Sequence, residues 1–382
     1  MNMQPPRESK TPPLVLTAEG KAWVWVTVLL VVMGWYKSIN LVLLLGYFMF
    51  VLLVVNGILA RRQGRRVAVR HEPTLPVFTH EDTLARVSVT NTSRRPATVT
   101  VENRVGDQLL IWLVQGLPGN ASAPCVAHRS FPQRGRFATQ VRWLSGFPLG
   151  LLQYASQGKD GSSVVVLPAA GVAEVDGMRR WLHHAGGDGR ARKLLRRVTS
   201  DQAEVRGVRP FRPGDPIRSV HWRSTARRRE LMVREYDVAP ALDLILVVEP
   251  WLPPNPTPQH QEQLEAALSL AVTIARTWSR AYGTTVIVAV AGDANSVRTA
   301  APTEAEMRVA LEPFATVVGA ATHASFGASV FGRSLSRAVR VLVSSRTASP
   351  HANALTSSTG RPFMAVSPAD GLSWYQPPKQ IK

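Results

Sequence analysis

The chain contains little cysteine and few acidic residues. Cys125 is the single cysteine among 382 residues, which excludes an internal disulfide framework and a zinc site built from several cysteines of one chain. Lys and Arg number 45 against 26 Asp and Glu, so the formal net charge is +19. This excess favours acidic partners, such as phospholipid, nucleic acid or an acidic protein surface, without choosing among them.

The sequence also lacks an internal repeat. Its 27 Gly and 28 Pro are spread without a period, which excludes collagen-like and solenoid architectures. An apolar content of 45% excludes a disordered chain. At about 150 residues per domain, the length predicts two to three folded units.

Two apolar runs, 22–36 and 41–60, predict a transmembrane hairpin. At about 1.5 Å per residue, the second run reaches ~30 Å, which is the thickness of the hydrocarbon core. Trp and Tyr residues near the ends of the first run suit the membrane interface. A cleaved signal peptide is the alternative, but no small-residue cleavage site follows the first run.

Basic residues set the predicted orientation of the hairpin. They precede it in the tail 1–21 and follow it from Arg61 onwards, whereas the short connection holds only Lys37. The positive-inside rule therefore predicts a multi-pass protein of the plasma membrane with both termini and the bulk of the chain in the cytoplasm.

Residues 66–170 are predicted to form an antiparallel β-sandwich. Short β-rich runs recur about every ten residues, separated by Gly, Pro and Asn, and several alternate between apolar and polar residues. The expected strands are 67–69, 87–90, 99–101, 109–114, 137–144, 151–155 and 164–167.

Residues 241–370 predict an open, mostly parallel α/β sheet, followed by a tail at 371–382 whose end, 377–379, is expected to be loose. The run 244–248 is continuously apolar, as in a strand covered on both faces, and it alternates with helical patterns. Further strands are expected at 285–290, 339–343 and 363–366, with helices opening after Thr257 and Thr303. The fold class is thus α/β plus all-β.

An arginine-rich segment, 178–240, separates the two predicted domains. Residues 179–237 carry 16 Lys and Arg against 7 Asp and Glu. Within it, 213–216 has turn chemistry, Asp215 is expected to pair with Arg218, and Trp222 is expected to bury its ring. The segment is interpreted as a structural clamp or as a docking surface, and a catalytic role is disfavoured because no nucleophile and base arrangement is recognisable. Its candidate residues are Arg206, Arg209, Gly214, Asp215, Arg218, His221, Trp222, Arg227, Arg234 and Glu235.

The ordered pattern 206–236 resembles the signature of the bacterial domain-of-unknown-function 58 family. Two shorter stretches, 134–137 and 147–152, resemble family patterns as well, although Phe147 stands where the family often has Asp. The resemblance implies a membrane hairpin, a β-rich segment and a von Willebrand factor type A-like domain in a bacterial cell membrane. It also implies a MoxR-type AAA+ ATPase as partner.

Motifs for metal or covalent chemistry are weak. A type A metal site needs an Asp-x-Ser-x-Ser run after the first strand, and residues 249–253 offer only Glu249, so no metal and no cofactor are expected. The adjacent His183 and His184 cannot present one helix face to an ion. Residues 186–189 lack the Lys of a phosphate loop, and Ser344 and Ser345 lack the glycines of a nucleophile elbow.

The sequence therefore predicts a non-enzymatic, membrane-tethered interaction protein, with an oligomeric state that the sequence does not define. Nucleic-acid or anionic-lipid binding by the basic segment is a second hypothesis, but no recognised reader motif supports a nucleic-acid partner. A cryptic hydrolase is a third.

Overall fold

The computed structural model describes residues 14–158, 161–185, 205–236, 243–324, 329–332 and 338–378. The chain forms two compact units. The first comprises 1–77, 81–131 and 136–165, and the second comprises 78–80, 132–135 and 166–382. The boundaries differ from the predicted domains, because 78–80 and 132–135, expected in the sandwich, group with the second unit.

The first unit begins with a helical hairpin that confirms two apolar N-terminal helices. A short strand, β1 (Leu14–Leu16), precedes helices α1 (Ala18–Tyr36) and α2 (Asn40–Gly64), and both helices are long and apolar enough to cross a membrane. The helices pack closely at small residues, since a Cβ on Gly34 would lie 2.9 Å from the backbone nitrogen of Leu43.

Both helices extend beyond the predicted spans of 22–36 and 41–60. The first begins at Ala18 because the hydroxyl of Thr17 caps it, accepting a hydrogen bond from Gly20 N at 3.0 Å. The second continues to Gly64, where the carbonyl accepts a 3.1 Å bond from the indole of Trp143. The predicted span ends earlier because Arg61, Arg62 and Gln63 interrupt the apolar pattern within the last turns of α2.

Two antiparallel sheets form the rest of the first unit, as the sandwich prediction expects. One is ordered β2-β4-β7, and the other has seven strands, β1, β3, β5, β6, β8, β9 and β10. Val87, Val89, Val101 and Trp143 belong to one buried core shared by both sheets. The strands are β2 (Val67–His71), β3 (Val77–Phe78), β4 (Thr83–Asn91), β5 (Ala97–Val105), β6 (Gln108–Leu117), β7 (Ser122–Arg129), β8 (Gly135–Ser145), β9 (Leu152–Gln157) and β10 (Ser163–Leu167).

The second unit is built on a five-stranded sheet ordered β16-β15-β14-β17-β18. The pairs β14–β15, β14–β17 and β17–β18 are parallel, and β16 is an antiparallel edge strand. This confirms a mostly parallel α/β sheet. Its strands are β14 (Leu244–Glu249), β15 (Val286–Val290), β16 (Asp293–Ala300), β17 (Val339–Ser344) and β18 (Met364–Val366).

The other elements of the second unit include two small antiparallel sheets, β11–β19 and β12–β13. Their strands are β11 (Val172–Ala173), β12 (Val205–Pro210), β13 (Met232–Tyr236) and β19 (Tyr375–Gln376). The helices are α3 (Val175–Ala185), α4 (Trp222–Arg228), α5 (Pro258–Tyr282), α6 (Glu304–Ala310), α7 (Glu312–Thr316) and α8 (Pro350–Thr359), with 3-10 turns at Ile217–Ser219 and Pro368–Asp370.

Residues 371–376, the first part of the predicted tail, pack within the second unit. Trp374 is buried, and its ring centroid lies 5.4 Å from that of Trp181 in α3. Residues 375–376 pair with β11. These residues are held in place because burying the large indole of Trp374 against a second indole removes much apolar surface from water.

Candidate functional site

Polar side chains lie together at the carboxyl ends of β14 and β17, the two neighbouring strands between which the strand order of the sheet reverses. From β14 the chain passes to β15 on one side and later returns to β17 on the other. Such switch points are the usual ligand positions in open α/β sheets. The register sets Glu249, the last residue of β14, opposite Ser344, the last residue of β17.

The carboxylate of Glu249 is buried and accepts hydrogen bonds from three side chains. Ser344 Oγ donates to Oε2 at 2.6 Å, Ser349 Oγ donates to the same oxygen, and Arg346 Nη2 lies 2.8 Å from Oε1. Ser349 also caps α8, accepting a hydrogen bond from His351 N at 3.1 Å. The cap and the carboxylate therefore share one hydroxyl, which couples the start of α8 to the sheet edge.

Aromatic rings surround this network. The guanidinium of Arg346 lies 4.9 Å from the ring centroid of Trp251, whose carbonyl accepts a 2.6 Å hydrogen bond from Ser345. His351 packs edge-on against His323, with ring centroids 6.3 Å apart. Among the described residues, the buried Nε2 of His351 has no hydrogen-bond partner.

The electrostatics of the edge follow from these contacts. Burial would raise the pKa of Glu249, but hydrogen bonds from Ser344, Ser349 and Arg346 outweigh it, so the pKa lies below its ordinary value. Burial lowers the pKa of His351, although the charge of Glu249 acts in the opposite direction. At neutral pH, Glu249 is therefore ionised and His351 is neutral.

One carboxylate and two hydroxyls meet at Glu249, and these are the ligand types that a hard cation requires on a type A loop. The hydroxyls come from Ser344 and Ser349 instead of from residues 250–253, and Arg346 supplies the positive charge. Within the described residues, no group of three or more His, Cys, Asp and Glu could hold a metal ion. The absence of a metal stays a prediction.

The candidate residues of the arginine-rich segment come together on the β12–β13 hairpin. Arg209 in β12 pairs with Val233 in β13, and its guanidinium makes two hydrogen bonds of 2.7 Å to the carboxylate of Asp215. Asp215 also accepts a 2.8 Å bond from Arg212 N, and Gly214 has a φ of 104°. The predicted turn chemistry at 213–216 is present, with glycine at the position that needs it.

The expected ion pair of Asp215 with Arg218 stays a prediction, because the side chain of Arg218 lies outside the described residues. The partner that the structure shows is Arg209, because the turn at 212–215 folds Asp215 back onto the end of β12. The side chains of Arg206, Arg218 and Glu235 lie outside the described residues, as do those of His183 and His184 and the whole of 186–189.

Hydrogen bonds attach helix α4 to the neighbouring strand β13. His221 is its N-cap, with Nδ1 accepting a 3.2 Å bond from Ser224 N, and Thr225 Oγ1 accepts a 3.0 Å bond from Met232 N in β13. Val220 makes an isolated bridge to Val233. The helix is thus attached at its start and at its middle to the β12–β13 hairpin.

Trp222 does not bury its ring, contrary to expectation. The buried positions of this region are taken by Val220, Met232 and Val233, and α4 has no buried residue. Trp222 is 65% exposed and Ile217 is 74% exposed. Exposed arginines flank them at Arg223, Arg227, Arg228, Arg229 and Arg234.

The pairing of Arg209 with Asp215 predicts a titration. The Arg209 hydrogen bonds, followed by the bond from Arg212 N, lower the pKa of Asp215 from its ordinary value of 3.8 to about 2. Replacing Arg209 with alanine should return the pKa towards 3.8, as measured by ¹³C NMR of the labelled carboxyl group in the full chain in detergent. Because the folded-state pKa is depressed, the pair stabilises the turn above the ordinary pKa and loses this effect as the pH falls towards about 2.

Arg228→Ala is the control for this titration, since Arg228 is exposed at the end of α4. It should leave the Asp215 titration unchanged. Equal midpoints in the Arg209 variant and the parent would refute the proposed cause of the shift.

Arg134, part of a stretch that resembles a family pattern, has a defined structural role. It donates to the carbonyls of Phe314 and Val317, each at 3.0 Å, and its Nε lies 3.1 Å from Glu265. Arg134, Val317 and Glu265 border a cavity of about 800 Å³ that is also lined by Tyr375. The sequence indicated Arg134 only through its pattern, because its partners lie far away along the chain.

The fold and the site together define a protein with an apolar helical hairpin, a β-sandwich and a mostly parallel α/β sheet with a closed carboxylate network at its edge. Residues 207–362 are similar to the family whose model is described as "Protein of unknown function DUF58". The match begins within β12 and ends between α8 and β18.

Two further comparisons add no functional argument. The search of curated proteins gives no match. Among solved structures, the alkylpurine DNA glycosylase AlkC of Pseudomonas fluorescens, bound to DNA containing an abasic site analog, matches at 12% identity with a TM-score of 0.19. The match covers 37% of this chain and 42% of that chain, so this chain spans less than half the length of that protein.

Proposed function

We propose that the chain is a non-enzymatic, membrane-anchored protein-interaction protein of a bacterial cell membrane. Its hairpin crosses the membrane twice and its bulk lies in the cytoplasm, as the basic residues on both sides of the hairpin favour. The partner that the family resemblance suggests is a MoxR-type AAA+ ATPase, in a chaperone-like or assembly role. The five-stranded sheet is the von Willebrand factor type A-like part of the molecule.

The observation that supports a docking role is the exposed surface around α4, which we call the α4 surface. Large apolar side chains are solvent-exposed there in a ring of arginines, and Trp and Arg are the residue types that most often dominate binding energy in protein interfaces. A clamp would bury these side chains. The α4 surface consists of Ile217, Trp222, Arg223, Arg227, Arg228, Arg229, Leu231 and Arg234.

The scaffold beneath the α4 surface is pre-organised. The bidentate Arg209–Asp215 pair holds the turn, the His221 cap holds the start of α4, and Met232 N holds its middle. A rigid surface loses little entropy on binding, so the exposed apolar area can contribute to affinity. Its positive charge favours an acidic partner face and a fast association.

Co-purification of the full chain from crosslinked membranes tests the proposal. We expect recovery of an AAA+ ATPase with the parent protein and about tenfold lower recovery with Trp222→Ala, because hot-spot aromatic residues contribute at least that much. Arg223→Glu should lower the recovery as well, since it reverses a charge on the same surface.

Matched controls separate the α4 surface from general effects. Val318→Ala removes an equally exposed apolar side chain, and Arg94→Glu reverses an exposed charge in the first unit. Both should leave the recovery unchanged. Recovery without any ATPase would overturn the partner, equal recovery with Trp222→Ala would overturn the surface, and salt-sensitive recovery of nucleic acid instead would favour the second hypothesis.

A further inference from the structure

The loop 146–151, between β8 and β9, exposes two large apolar side chains in the first unit. Phe147 is 54% exposed and Leu149 is 50% exposed. Both belong to the short stretch 147–152 that the proposed function does not use. Two such side chains on one short loop need an explanation, since neither contributes to the sandwich core.

Hydrogen bonds fix this loop to both helices of the hairpin. Asn56 of α2 is fully buried, donates to the carbonyl of Gly146 at 3.2 Å, and accepts a 2.8 Å bond from Leu152 N. The hydroxyl of Thr17, the cap of α1, donates to the carbonyl of Gly150 at 2.9 Å. The loop is therefore held at the level of the first turn of α1 and of Asn56.

This level is a boundary on the surface of the hairpin. On one side, towards the connection between the helices, the exposed side chains of 22–36 and 41–55 are apolar or aromatic, as at Trp25, Val54 and Val55. On the other side α2 carries the exposed Arg61 and Arg62. An apolar stretch that gives way to arginines marks the headgroup region when a helix crosses a bilayer.

We infer that the loop 146–151 is a membrane-contact loop. Phe147 and Leu149 insert between the headgroups and the upper acyl chains, and the neighbouring Arg61 and Arg62 face anionic headgroups. The sandwich is thereby held against the bilayer by a third point besides the two helices. The inference rests on the membrane anchorage proposed above, and it is independent of the protein partner.

Fluorophores at single cysteines in the full chain test this contact. With the buried Cys125 replaced by alanine, Phe147→Cys and Leu149→Cys are labelled with an environment-sensitive dye and reconstituted into phosphatidylethanolamine and phosphatidylglycerol vesicles. Lipids carrying a shallow or a deep spin-label quencher report the depth. Leu29→Cys, in the middle of α1, is the control for anchorage.

Leu109→Cys is the matched control within the sandwich. Leu109 is an exposed apolar residue at the far end of the β5–β6 hairpin. It pairs with Arg104, which pairs with Gln140, so it lies about 14 Å further along the sheet than Leu144 at ~3.4 Å per residue. A residue at this distance is outside the bilayer if the loop marks its surface.

We expect the shallow quencher to act about threefold more strongly at positions 147 and 149 than at 109, and the deep quencher to act at position 29. Quenching at position 29 with no excess at 147 and 149 over 109 would overturn the membrane-contact loop alone. Absence of quenching at position 29 would contradict the anchorage itself, and the inference with it.

Discussion

Replacing Arg346 with methionine is expected to destabilise the second unit by about 3 to 5 kcal/mol, because a buried carboxylate is left without its cationic partner. Arg346 Nη2 lies 2.8 Å from Glu249 Oε1, and the Glu249 side chain is almost completely buried. The two serine hydroxyls remain, but they donate one hydrogen bond each and carry no charge. Urea unfolding of the full chain in detergent, followed by circular dichroism, measures the loss.

Two variants separate the loss of charge from the loss of a side chain. Arg361→Met removes a partly exposed arginine two residues after α8 and should change the free energy of unfolding by less than about 0.5 kcal/mol. The double variant Glu249→Gln with Arg346→Met removes both charges and should recover most of the stability. A double variant no more stable than Arg346→Met would contradict the ion-pair explanation.

The pH dependence of the stability tests independently whether Glu249 causes the loss in Arg346→Met. In the parent protein the pKa of Glu249 lies below its ordinary value, so this group stabilises the fold above that value and loses its contribution as the pH falls through the folded-state pKa. Without Arg346, burial dominates and the pKa rises. The penalty of Arg346→Met should therefore shrink in mildly acidic solution, and an undiminished penalty would show that Glu249 is not its source.

Strands with a strong apolar pattern could be predicted from the sequence even at a sheet edge, as β2, β6 and β18 show, and strands rich in polar residues could not. The apolar runs at 244–248 and 339–343 became central parallel strands because every side chain in them is covered. The strands β7 and β16 escaped prediction, since they carry polar residues or Pro124 in place of a regular apolar pattern. Hydrogen bonds between backbones hold such strands in the sheet, and the side-chain pattern of the sequence does not reveal these bonds.

The candidate site was predictable only where its contacts are local. The turn at 213–216 follows from its own residues. Asp215 was expected to pair with the nearest downstream arginine, and the turn at 212–215 brings it to Arg209, six residues earlier. Glu249 was recognised as the one possible ligand on its loop, but its partners Ser344 and Ser349 follow from the register of β14 with β17, which no local pattern encodes.

Replacing Gly20 with valine is expected to separate the start of α1 from the loop 146–151 at a cost of about 3 kcal/mol, the upper end for overpacking. A Cβ at Gly20 would overlap the carbonyl oxygen of Leu151 and lie 2.9 Å from its carbonyl carbon. This carbonyl accepts a 3.2 Å bond from Thr17 N and a 3.1 Å bond from the Thr17 hydroxyl, so it cannot rotate away without losing both.

Hydrogen exchange of the full chain in detergent measures this separation, as faster exchange in peptides covering 14–20 and 146–152. Gly161→Val is the matched control, since a Cβ there meets nothing within 4 Å. Because valine has a higher helix propensity than glycine, local propensity alone would make Gly20→Val protect the first turn of α1. Slower exchange in that turn would therefore contradict the packing of Gly20 against Leu151. Faster exchange in both 14–20 and 146–152 cannot come from helix propensity, and it is expected only if the two segments are in contact.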